Sequence, residues 1–468
     1  MSNAFTQIPS VSHYRLCNAR VPRCLLGADL SASAVSSISD RGAEGGGLVA
    51  MDEGLAAVDL EVQNGTIASV CPADLARQDS TSAIAVPSID LSSSMVWPCF
   101  VDMHTHLDKG HIWPRSPNPD GTFGGALDTV RQDTARQDTV RRWDFEDVYR
   151  RAEFGLKCSY AHGTQAIRTH LDAFDEQGEI SFKAFRQLRD EWQGRMSLQA
   201  VCLVTLDYFL TKKGEDLADL VAESDGILGG VALMNGQMSA DIVAQIDRVF
   251  ELAKERSLDL DFHTDESLNP DDIALRLVAQ AAMRHQFEGR ITCGHCCSLS
   301  VQSEADVQET LEVVKAANIS VVSLPMCNLY LQDRRSGKTP RYRGVTILRE
   351  LKAAGVQCAI ASDNCRDPFF AYGDHDGLEV FVQSARIGHL DHPVGDWPQS
   401  ITRSPAKMMG LKNVGSIAEG LAADLVVFKA RSFNELMARG QSDRVVIRAG
   451  KQIDTTLPDY AELDDLMH

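Results

Sequence analysis

Long apolar runs are missing from this sequence of 468 residues. Its longest apolar stretches have the length of a strand, whereas a membrane-spanning helix needs about 20 consecutive apolar residues. The segment Met1–Ala4 also lacks the basic region and the apolar region of a secretory signal. We therefore expect a protein that neither spans nor binds a membrane and that resides in the cytoplasm.

Positive charge is scarce as well. The chain has 46 Lys and Arg against 65 Asp and Glu, which gives a formal net charge of −19 at pH 7. A field of that sign repels the phosphates of a nucleic-acid backbone. We therefore expect a small-molecule partner and no nucleic-acid partner, and the sequence leaves a homo-oligomer open.

A disulfide framework is absent, although the chain has 12 cysteines. Scattered cysteines in a long cytosolic chain are expected to be reduced and buried as small hydrophobic side chains. The run Cys293–Cys297 resembles half of a zinc knuckle, but no second cysteine pair follows at a suitable spacing. We therefore predict no zinc knuckle there.

Alternating strand-like and helical segments fill the middle of the chain. Apolar runs rich in β-formers follow segments with a helical period, a pattern typical of βα units and a parallel sheet. The eight predicted strands are Met95–His106, Thr164–Leu171, Leu198–Leu206, Ile227–Met234, Leu258–His263, Arg290–His295, Ile319–Leu324 and Val356–Ser362. The predicted helices include Trp143–Ala161, Ile242–Arg256, Pro270–Phe287, Ser303–Ala317 and Val345–Ala354.

Eight βα units favour an α/β fold built as a closed (β/α)8 barrel. The alternative is a doubly wound open sheet, which usually has fewer strands and a Gly-rich phosphate turn after the first strand. This chain has Asp102–His106 at that position. We therefore prefer the barrel, and we assign residues 95–412 to it.

Both ends of the chain have the pattern of short β-strands. Ala57–Gln63 and Thr66–Val70 flank an Asn-Gly turn and predict a hairpin, and Ala423–Phe428 and Arg444–Arg448 predict further strands. We expect residues 1–94 and 413–468 to pair into one small β-sandwich domain.

Two segments have the composition of loops. Ser31–Gly47 is rich in Ser, Ala and Gly and is predicted to be a surface loop. Gly110–Thr139 is predicted to be a long polar connection after the first barrel strand, where a loop can cover a site.

Side chains that bind metals follow several of the predicted strands. His104 and His106 lie two residues apart at a strand end, so their imidazoles project to the same side. A lone His-x-His pair occurs by chance, but His263, His295 and Asp363 each end a later strand, where a barrel holds its active site. Imidazole and carboxylate ligands suit Zn²⁺ or Fe²⁺. We therefore predict a divalent ion on His104, His106, His263 and Asp363.

Three further residues lie close to these ligands in the sequence pattern. Glu266 follows His263 by three residues and is the candidate proton shuttle, although an isolated loop glutamate is more often simply solvated. His295 is either a fifth ligand or a donor that orients the bound water and stabilises developing negative charge, and we prefer the donor role. His170 also ends a strand, and we predict a structural or rim position for it.

The order of these motifs resembles that of the amidohydrolase superfamily, and within it the cytosine deaminase-like branch, over nearly the whole chain. The motifs are Pro98–Asp108, Arg168–Asp172, His263–Glu266, Gly294-His295, Leu329–Arg334, Ser362–Asn364, Gly420–Phe428 and Val446–Lys451.

The resemblance implies one divalent ion per chain. Binuclear members of the superfamily contribute a carboxylated lysine from the fourth strand, and Gly229–Gln237 contains no lysine. It also implies hydrolytic deamination: the ion lowers the pKa of a water molecule, Asp363 accepts its proton, and hydroxide adds to an amidine-like carbon. Glu266 then passes a proton to a ring nitrogen, and His295 stabilises the new oxyanion.

The substrate contacts implied by the resemblance are Lys109, Thr205, Gln332 and Asn364. Thr205 stands where bacterial cytosine deaminases have a glutamine, and Asn364 stands where they have a second aspartate. Lys109 and Asn364 are more similar to the relatives that hydrolyse N-isopropylammelide. Three hypotheses follow: a cytosine deaminase-like enzyme, which we prefer, an enzyme that removes an alkylamine from a hydroxylated s-triazine, and a catalytically silent metal-binding barrel.

Overall fold

The computed structural model describes residues 5–27, 53–73, 86–135, 143–232 and 240–467. The predicted loop Ser31–Gly47 lies outside these residues. The chain divides into a first unit of Met1–Val101, Tyr160–Gln165 and Gly377–Leu457 and a second unit of Asp102–Ser159, Ala166–Asp376 and Pro458–His468. Among the described helices, none has both the length and the apolar character needed to cross a membrane.

The first unit contains a sheet to which both ends of the chain contribute. Its strands are β1 (His13–Pro22), β2 (Leu55–Gln63), β3 (Thr66–Pro72), β4 (Ser88–Asp90), β5 (Met95–Pro98), β14 (Leu425–Phe428), β15 (Val445–Arg448) and β16 (Lys451–Gln452). Their order is β16-β15-β14-β5-β1-β2-β3, with β4 beside β1. The predicted hairpin is confirmed, because β2 and β3 pair antiparallel around Asn64 and Gly65. Both turn residues have the positive φ that such a tight turn requires.

The single predicted strand Met95–His106 is wrong, because the structure divides it into two. Met95–Pro98 (β5) pairs antiparallel with β14, and Phe100–Thr105 (β6) pairs with a different set of strands. Pro98 has no N–H to donate, and the Cys99 N–H donates to the carbonyl of Asp424 at 2.9 Å. The chain therefore leaves the first sheet at this point.

The second unit contains the parallel strands that the sequence predicts. They are β6 (Phe100–Thr105), β7 (Thr164–Asp172), β8 (Ser197–Leu203), β9 (Leu228–Ala232), β10 (Leu260–Thr264), β11 (Ile291–His295), β12 (Ser320–Ser323) and β13 (Cys358–Ile360). They form one sheet in the order β6-β7-β8 and a second in the order β13-β12-β11-β10-β9. Single bridges join Val201 to Ile227 and Thr105 to Asp363. The carboxyl ends of these parallel strands therefore face one side.

Helices follow most of these strands, and the last three helices in chain order lie in the first unit. They are α1 (Phe123–Ala135), α2 (Phe145–His162), α3 (Glu176–Glu191), α4 (Lys212–Glu223), α5 (Ala240–Arg256), α6 (Ala274–Arg284), α7 (Glu304–Ala316), α8 (Pro325–Leu331), α9 (Leu348–Ala353), α10 (Gly377–Gly388), α11 (Arg403–Met408) and α12 (Phe433–Ala438). The predicted polar connection Gly110–Thr139 is wrong over Phe123–Ala135, which is helical. Phe123, Leu127 and Val130 recur at helical spacing and line a pocket together, which explains the helix.

A buried ion pair crosses the interior of the parallel strands. The Arg168 guanidinium on β7 donates to Asp261 Oδ2 on β10 at 2.7 Å and to Gln199 Oε1 on β8 at 2.9 Å. Both Arg168 and Asp261 are at most 2% exposed. Burial raises the pKa of Asp261 to about 6, against the opposing effect of the arginine.

Replacing Arg168 with methionine is expected to lower the free energy of unfolding by about 3–5 kcal/mol, because it leaves the Asp261 carboxylate buried without its cation. Urea denaturation followed by circular dichroism measures the change. Arg290→Met is the matched control, because Arg290, just before β11, pairs with Asp259, just before β10, in a more exposed position. The control should change stability by less than about 1 kcal/mol, and equal effects of the two variants would contradict the prediction.

Candidate functional site

The four predicted metal ligands lie in one cluster. They come from the carboxyl ends of β6 and β10 and from the segment that follows β13. His106 Nε2 lies 3.3 Å from Asp363 Oδ1 and 3.3 Å from His263 Nε2. His104 Nε2 lies 3.6 Å from the same Asp363 oxygen. All four side chains are 5% exposed or less.

Backbone geometry fixes the position of Asp363. Its N–H donates to the carbonyl of His104 at 2.9 Å, and its carbonyl accepts from Thr105 Oγ1 at 2.8 Å. Asp363 has a φ of 65°, and His295 has a φ of 70°. Positive φ at non-glycine residues is costly and is concentrated at functional sites, where the surrounding structure enforces it.

The cluster fits a divalent cation. Among the described residues, both ring nitrogens of His104, Nδ1 of His263 and both carboxylate oxygens of Asp363 have no hydrogen-bond partner. Buried polar atoms in native proteins are normally paired. Burial lowers the pKa of His104, His106 and His263 well below the ordinary value, so these imidazoles are neutral, as metal ligation requires. Burial also raises the pKa of Asp363 to about 8, and a bound cation would favour its charged form.

His170 is part of the same cluster, so of the two predicted positions the rim is wrong, and the structural one agrees with its burial. Its side chain is 0% exposed, and its ring centroid lies 3.9 Å from that of His104. Ligand atoms of His170, His104 and His263 lie within 4.8 Å of one another. The sequence places His170 at a strand end but does not show that the strand end is buried.

Glu266 and His295 form a second, adjoining pair. Glu266 Oε1 lies 3.3 Å from His295 Nδ1, and the Asn328 amide Nδ2 lies 3.0 Å from that nitrogen and 3.3 Å from that oxygen. Burial and the charge of Asp363 raise the pKa of Glu266 well above its ordinary value. Burial lowers the pKa of His295 to about 3. The imidazole of His295 is therefore neutral at neutral pH, and the surroundings of Glu266 favour its protonated form.

Asn328 is a functional residue that the sequence reasoning missed. It lies on α8, which begins directly after β12, and its side chain is 0% exposed. A polar residue shortly after a parallel strand was the available signal, but asparagine is common at such positions for structural reasons.

The predicted substrate contacts differ in their surroundings. Lys109 lines the pocket, but its ammonium donates to Asp172 Oδ1 at 2.9 Å and to Asp108 Oδ1 at 3.4 Å and lies 3.2 Å from His106 Nδ1. Two carboxylates therefore balance its charge. Because of those carboxylates, which outweigh its burial, the pKa of Lys109 is raised above its ordinary value.

The other three predicted contacts also have defined positions. Asn364 lines the pocket, and its Nδ2 donates to Asp367 Oδ2 at 2.7 Å. Thr205 lines the pocket as well. Gln332 is absent from the described pocket lining, and its Nε2 instead donates to the backbone carbonyl of Glu266 at 3.1 Å. Gln332 therefore holds the segment that carries Glu266.

A pocket of about 510 Å³ opens on the cluster. This volume lies in the range of about 300–1,000 Å³ that is typical of small-molecule sites. His106, His263, Glu266 and Asp363 form its polar floor, and aromatic side chains including Phe174 and Phe369 line its walls. An uncharged ring with polar edges fits such a pocket.

The cysteine run contributes no ligands here. Cys293, Cys296 and Cys297 are buried and reduced, as the sequence predicts. None of them belongs to a group of potential metal ligands in the described part of the chain.

Comparisons with known proteins agree with this chemistry. The model of the amidohydrolase family matches residues 152–454. A pterin deaminase from Rhizobium rhizogenes is 46% identical over 468 residues, which cover 100% of both chains. N-isopropylammelide isopropyl amidohydrolase from a Pseudomonas species is 23% identical, over 74% of this chain and 82% of its own.

A similar fold is also known from a crystal structure. The 5-methylcytosine deaminase from Klebsiella pneumoniae, liganded with 5-fluorocytosine, superposes with a TM-score of 0.75 at 23% identity. The match covers 94% of this chain and 97% of that one. The likeness supports a TIM-barrel-like α/β fold.

Proposed function

Because the chain belongs to the amidohydrolase family, we propose that it is a metal-dependent hydrolytic deaminase of a small heterocycle that carries an amino group and a ring carbonyl. The observation that carries the proposal is the cluster of His104, His106, His263 and Asp363 beside Glu266, at the floor of a pocket. A family member with this set of side chains acts on C–N bonds other than peptide bonds.

We also propose the finer architecture that the sequence predicts. The bridge from Thr105 to Asp363 joins β6 to the residues after β13, and the bridge from Thr205 to Val231 joins the ends of β8 and β9. These contacts support closure of the eight strands into a barrel within residues 95–412. In the first unit, the bridge from Thr66 to Ala422 supports a β-sandwich formed by residues 1–94 and 413–468.

His104, His106, His263 and Asp363 would hold one divalent ion, Zn²⁺ or Fe²⁺. When bound, such an ion supplies Lewis acidity that lowers the pKa of water and makes hydroxide available at neutral pH. His170 packs against His104 and limits the orientations of that ring.

The neighbouring side chains then move the protons. Asp363 accepts a proton from water as the oxygen adds to the ring carbon that carries the amino group. Glu266, whose protonated form is favoured by burial, donates its proton to the adjacent ring nitrogen. Asp363 then passes the proton that it took from water to the departing amine, and Glu266 recovers a proton from the hydroxyl group as the carbonyl forms. The products are ammonia and a ring with a carbonyl oxygen in place of the amino group.

His295 stabilises the oxygen that becomes negatively charged. The Asn328 amide lies 3.0 Å from Nδ1 and can donate to it, which places the ring proton on Nε2. Nε2 has no partner among the described residues, so it is available to donate to a developing oxyanion. Asn328 thereby sets the tautomer of His295 and contacts Glu266 with the same group.

We propose a pterin as the substrate class. The relative that matches this chain over its full length at 46% identity is a pterin deaminase, whereas the triazine-processing relative matches at 23%. A pterin carries an amidine-like amino carbon beside a ring carbonyl, and its second ring extends it beyond a pyrimidine. Removal of an alkylamine from an s-triazine is the less favoured alternative.

The ratio of kcat/KM for pterin to that for cytosine is expected to exceed tenfold. The second ring of a pterin would give it additional contacts with the pocket lining, and a pyrimidine lacks that ring. A panel of pterin, cytosine and N-isopropylammelide, assayed separately for ammonia and alkylamine, measures the preference. Phe369→Ala should weaken pterin turnover more than cytosine turnover, because Phe369 lines the pocket wall. Cytosine turnover equal to that of pterin would contradict the proposed substrate class.

Lys109→Met is not a clean test of this preference. In the sequence, Lys109 and Asn364 add a cationic donor and an amide donor near the predicted ligands, which predicts a preference for oxo-substituted rings that Lys109→Met would erase. In the structure, however, Lys109 balances the buried carboxylates of Asp108 and Asp172. Its loss would leave those charges without a cation and disturb the site as a whole.

A further inference from the structure

A second group of metal-ligating side chains lies in the same unit as the proposed active site. Ring nitrogens of His111 and His375 and the sulfur of Cys365 all lie within 4.8 Å of one another. Each residue is at most 3% exposed. None of the three is among the described residues that line the pocket. The proposed function therefore leaves this group without a role.

The backbone builds this group from two connections that follow parallel strands. His111 comes soon after β6, and Cys365 and His375 come after β13. The His111 N–H donates to the carbonyl of Cys365 at 3.1 Å. His111 and His375 have φ values of 68° and 54°. The segments are therefore held in costly conformations that aim the side chains at one another.

Helix α2 is shaped to admit His375. A Cβ atom added to Gly155 would lie 3.0 Å from Nε2 of His375 and 2.9 Å from Leu107 Cδ2. Contacts this short are rare, so a larger residue would displace the imidazole. Glycine at this position gives the imidazole its space.

The imidazole ring of His111 is buried, although its two nitrogens make no hydrogen bond to the described residues. Neither Nδ1 nor Nε2 has a hydrogen-bond partner among the described residues, and the ring packs edge-on against Phe154 with centroids 4.8 Å apart. A histidine in apolar surroundings normally donates its ring N–H to an acceptor. Burial, followed by the charges of His375 and Arg366, lowers its pKa well below the ordinary value. His111 is therefore neutral, the form that binds metal ions.

Charges near the group are mixed. Arg366 and Arg151 are positive neighbours of His111, and Asp374 and Asp367 are negative neighbours of Cys365. The pKa of the Cys365 thiol is raised by burial, and the backbone N–H of His375 acts in the opposite direction by donating to the sulfur. An ion that binds here would displace the thiol proton, as at other cysteine sites.

We propose that His111, Cys365 and His375 bind a second divalent ion, Zn²⁺, in a structural site separate from the proposed active site. Imidazole and thiolate are both ligands that bind zinc well, with bonds of about 2.0–2.1 Å to nitrogen and about 2.3 Å to sulfur. The ion would tie the connection after β6 to the connection that carries Asp363 and Asn364. The total becomes two ions per chain, so the single ion implied by the resemblance applies to the catalytic cluster alone.

Metal analysis of the purified enzyme tests the proposal. The enzyme is first dialysed against buffer that contains Zn²⁺ and then against metal-free buffer. The wild type should contain two ions, and Cys365→Ser and His263→Ala should contain one each. Cys365→Ser should also lower the Tm by several degrees, because an ion that binds only the folded state stabilises it. One ion in the wild type, or two ions in Cys365→Ser, would overturn the proposal.

Cobalt substitution gives a second readout that does not depend on activity or on the variant's stability. Wild-type enzyme loaded with Co²⁺ should show the near-ultraviolet absorption of a thiolate bound to cobalt. Cys327→Ser is the matched control, because Cys327 lies beside Glu266 and Asp363, and this variant should keep the absorption. Absence of the absorption from the wild type would show that no thiolate binds the ion. Loss of the absorption in Cys327→Ser alone would assign it to Cys327, and either result would refute the site. Failure of the deaminase assay would leave both readouts unaffected, so the two proposals fail separately.

Discussion

The Glu266→Gln variant is expected to keep its metal content and to lose about 10²-fold or more in kcat. The substitution removes the acidic proton but preserves the size of the side chain and its contact with Asn328 Nδ2 at 3.3 Å. General acid catalysis by a positioned carboxyl group typically contributes about 10²–10⁴-fold. Steady-state kinetics on pterin, with metal analysis of the same preparation, measures both quantities.

Asp271→Asn is the control for Glu266→Gln. Asp271 is an exposed carboxylate in the same connection after β10, so it allows the same acid-to-amide substitution outside the pocket. Its kcat should stay within about twofold of the wild type. A Glu266→Gln variant with wild-type turnover would show that another group moves the proton, and one that had lost its metal would show that Glu266 is a ligand.

The His263→Ala variant is expected to lose one ion per chain and roughly 10³-fold or more in turnover. His263 Nε2 lies 3.3 Å from His106 Nε2. Removal of the His263 imidazole therefore removes one of the four predicted ligands of the ion. Metal ions contribute several kcal/mol to the stabilisation of charge in a transition state, which corresponds to such a factor. Metal analysis and kinetics before and after addition of Zn²⁺ measure the loss.

His285→Ala serves as the comparison for His263→Ala. His285 lies at the end of α6 and contacts Asp247 at 2.8 Å, away from the described pocket lining. This variant should retain its full metal content and its activity. Treating the wild type with a chelator should reproduce the defect of His263→Ala reversibly. A His263→Ala variant that kept its full metal content would remove His263 from the ligand set.

The clustering of the predicted metal ligands could be predicted from the sequence alone because of the geometry of parallel strands. His104, His106, His263 and Asp363 each follow a recognisable β-run, and the carboxyl ends of parallel strands meet on one side. The period of the apolar residues locates such runs well. Their roles as ligands remain a prediction until metal analysis is done.

Contacts between side chains from distant segments were beyond the sequence. Asn328 lies 33 positions from its partner His295, and nothing in either segment specifies the pairing. The ion pair of Lys109 with Asp172 was likewise not predicted, because Asp172 lies on another strand. The helix Phe123–Ala135 was missed because two glycines and six polar residues interrupt its apolar positions, and its apolar stripe becomes visible only against the pocket that it lines.

The antiparallel pairing of β5 with β14 has a consequence for the synthesis of this protein. A ribosome delivers Trp97 early and Val426 near the end, yet the two residues are partners in one sheet. Until β14 emerges, one edge of β5 has no partner and can pair with another chain. Nascent and C-terminally truncated chains should therefore depend on chaperones that shield strand edges, whereas the parallel strands of β6 to β13 are already complete.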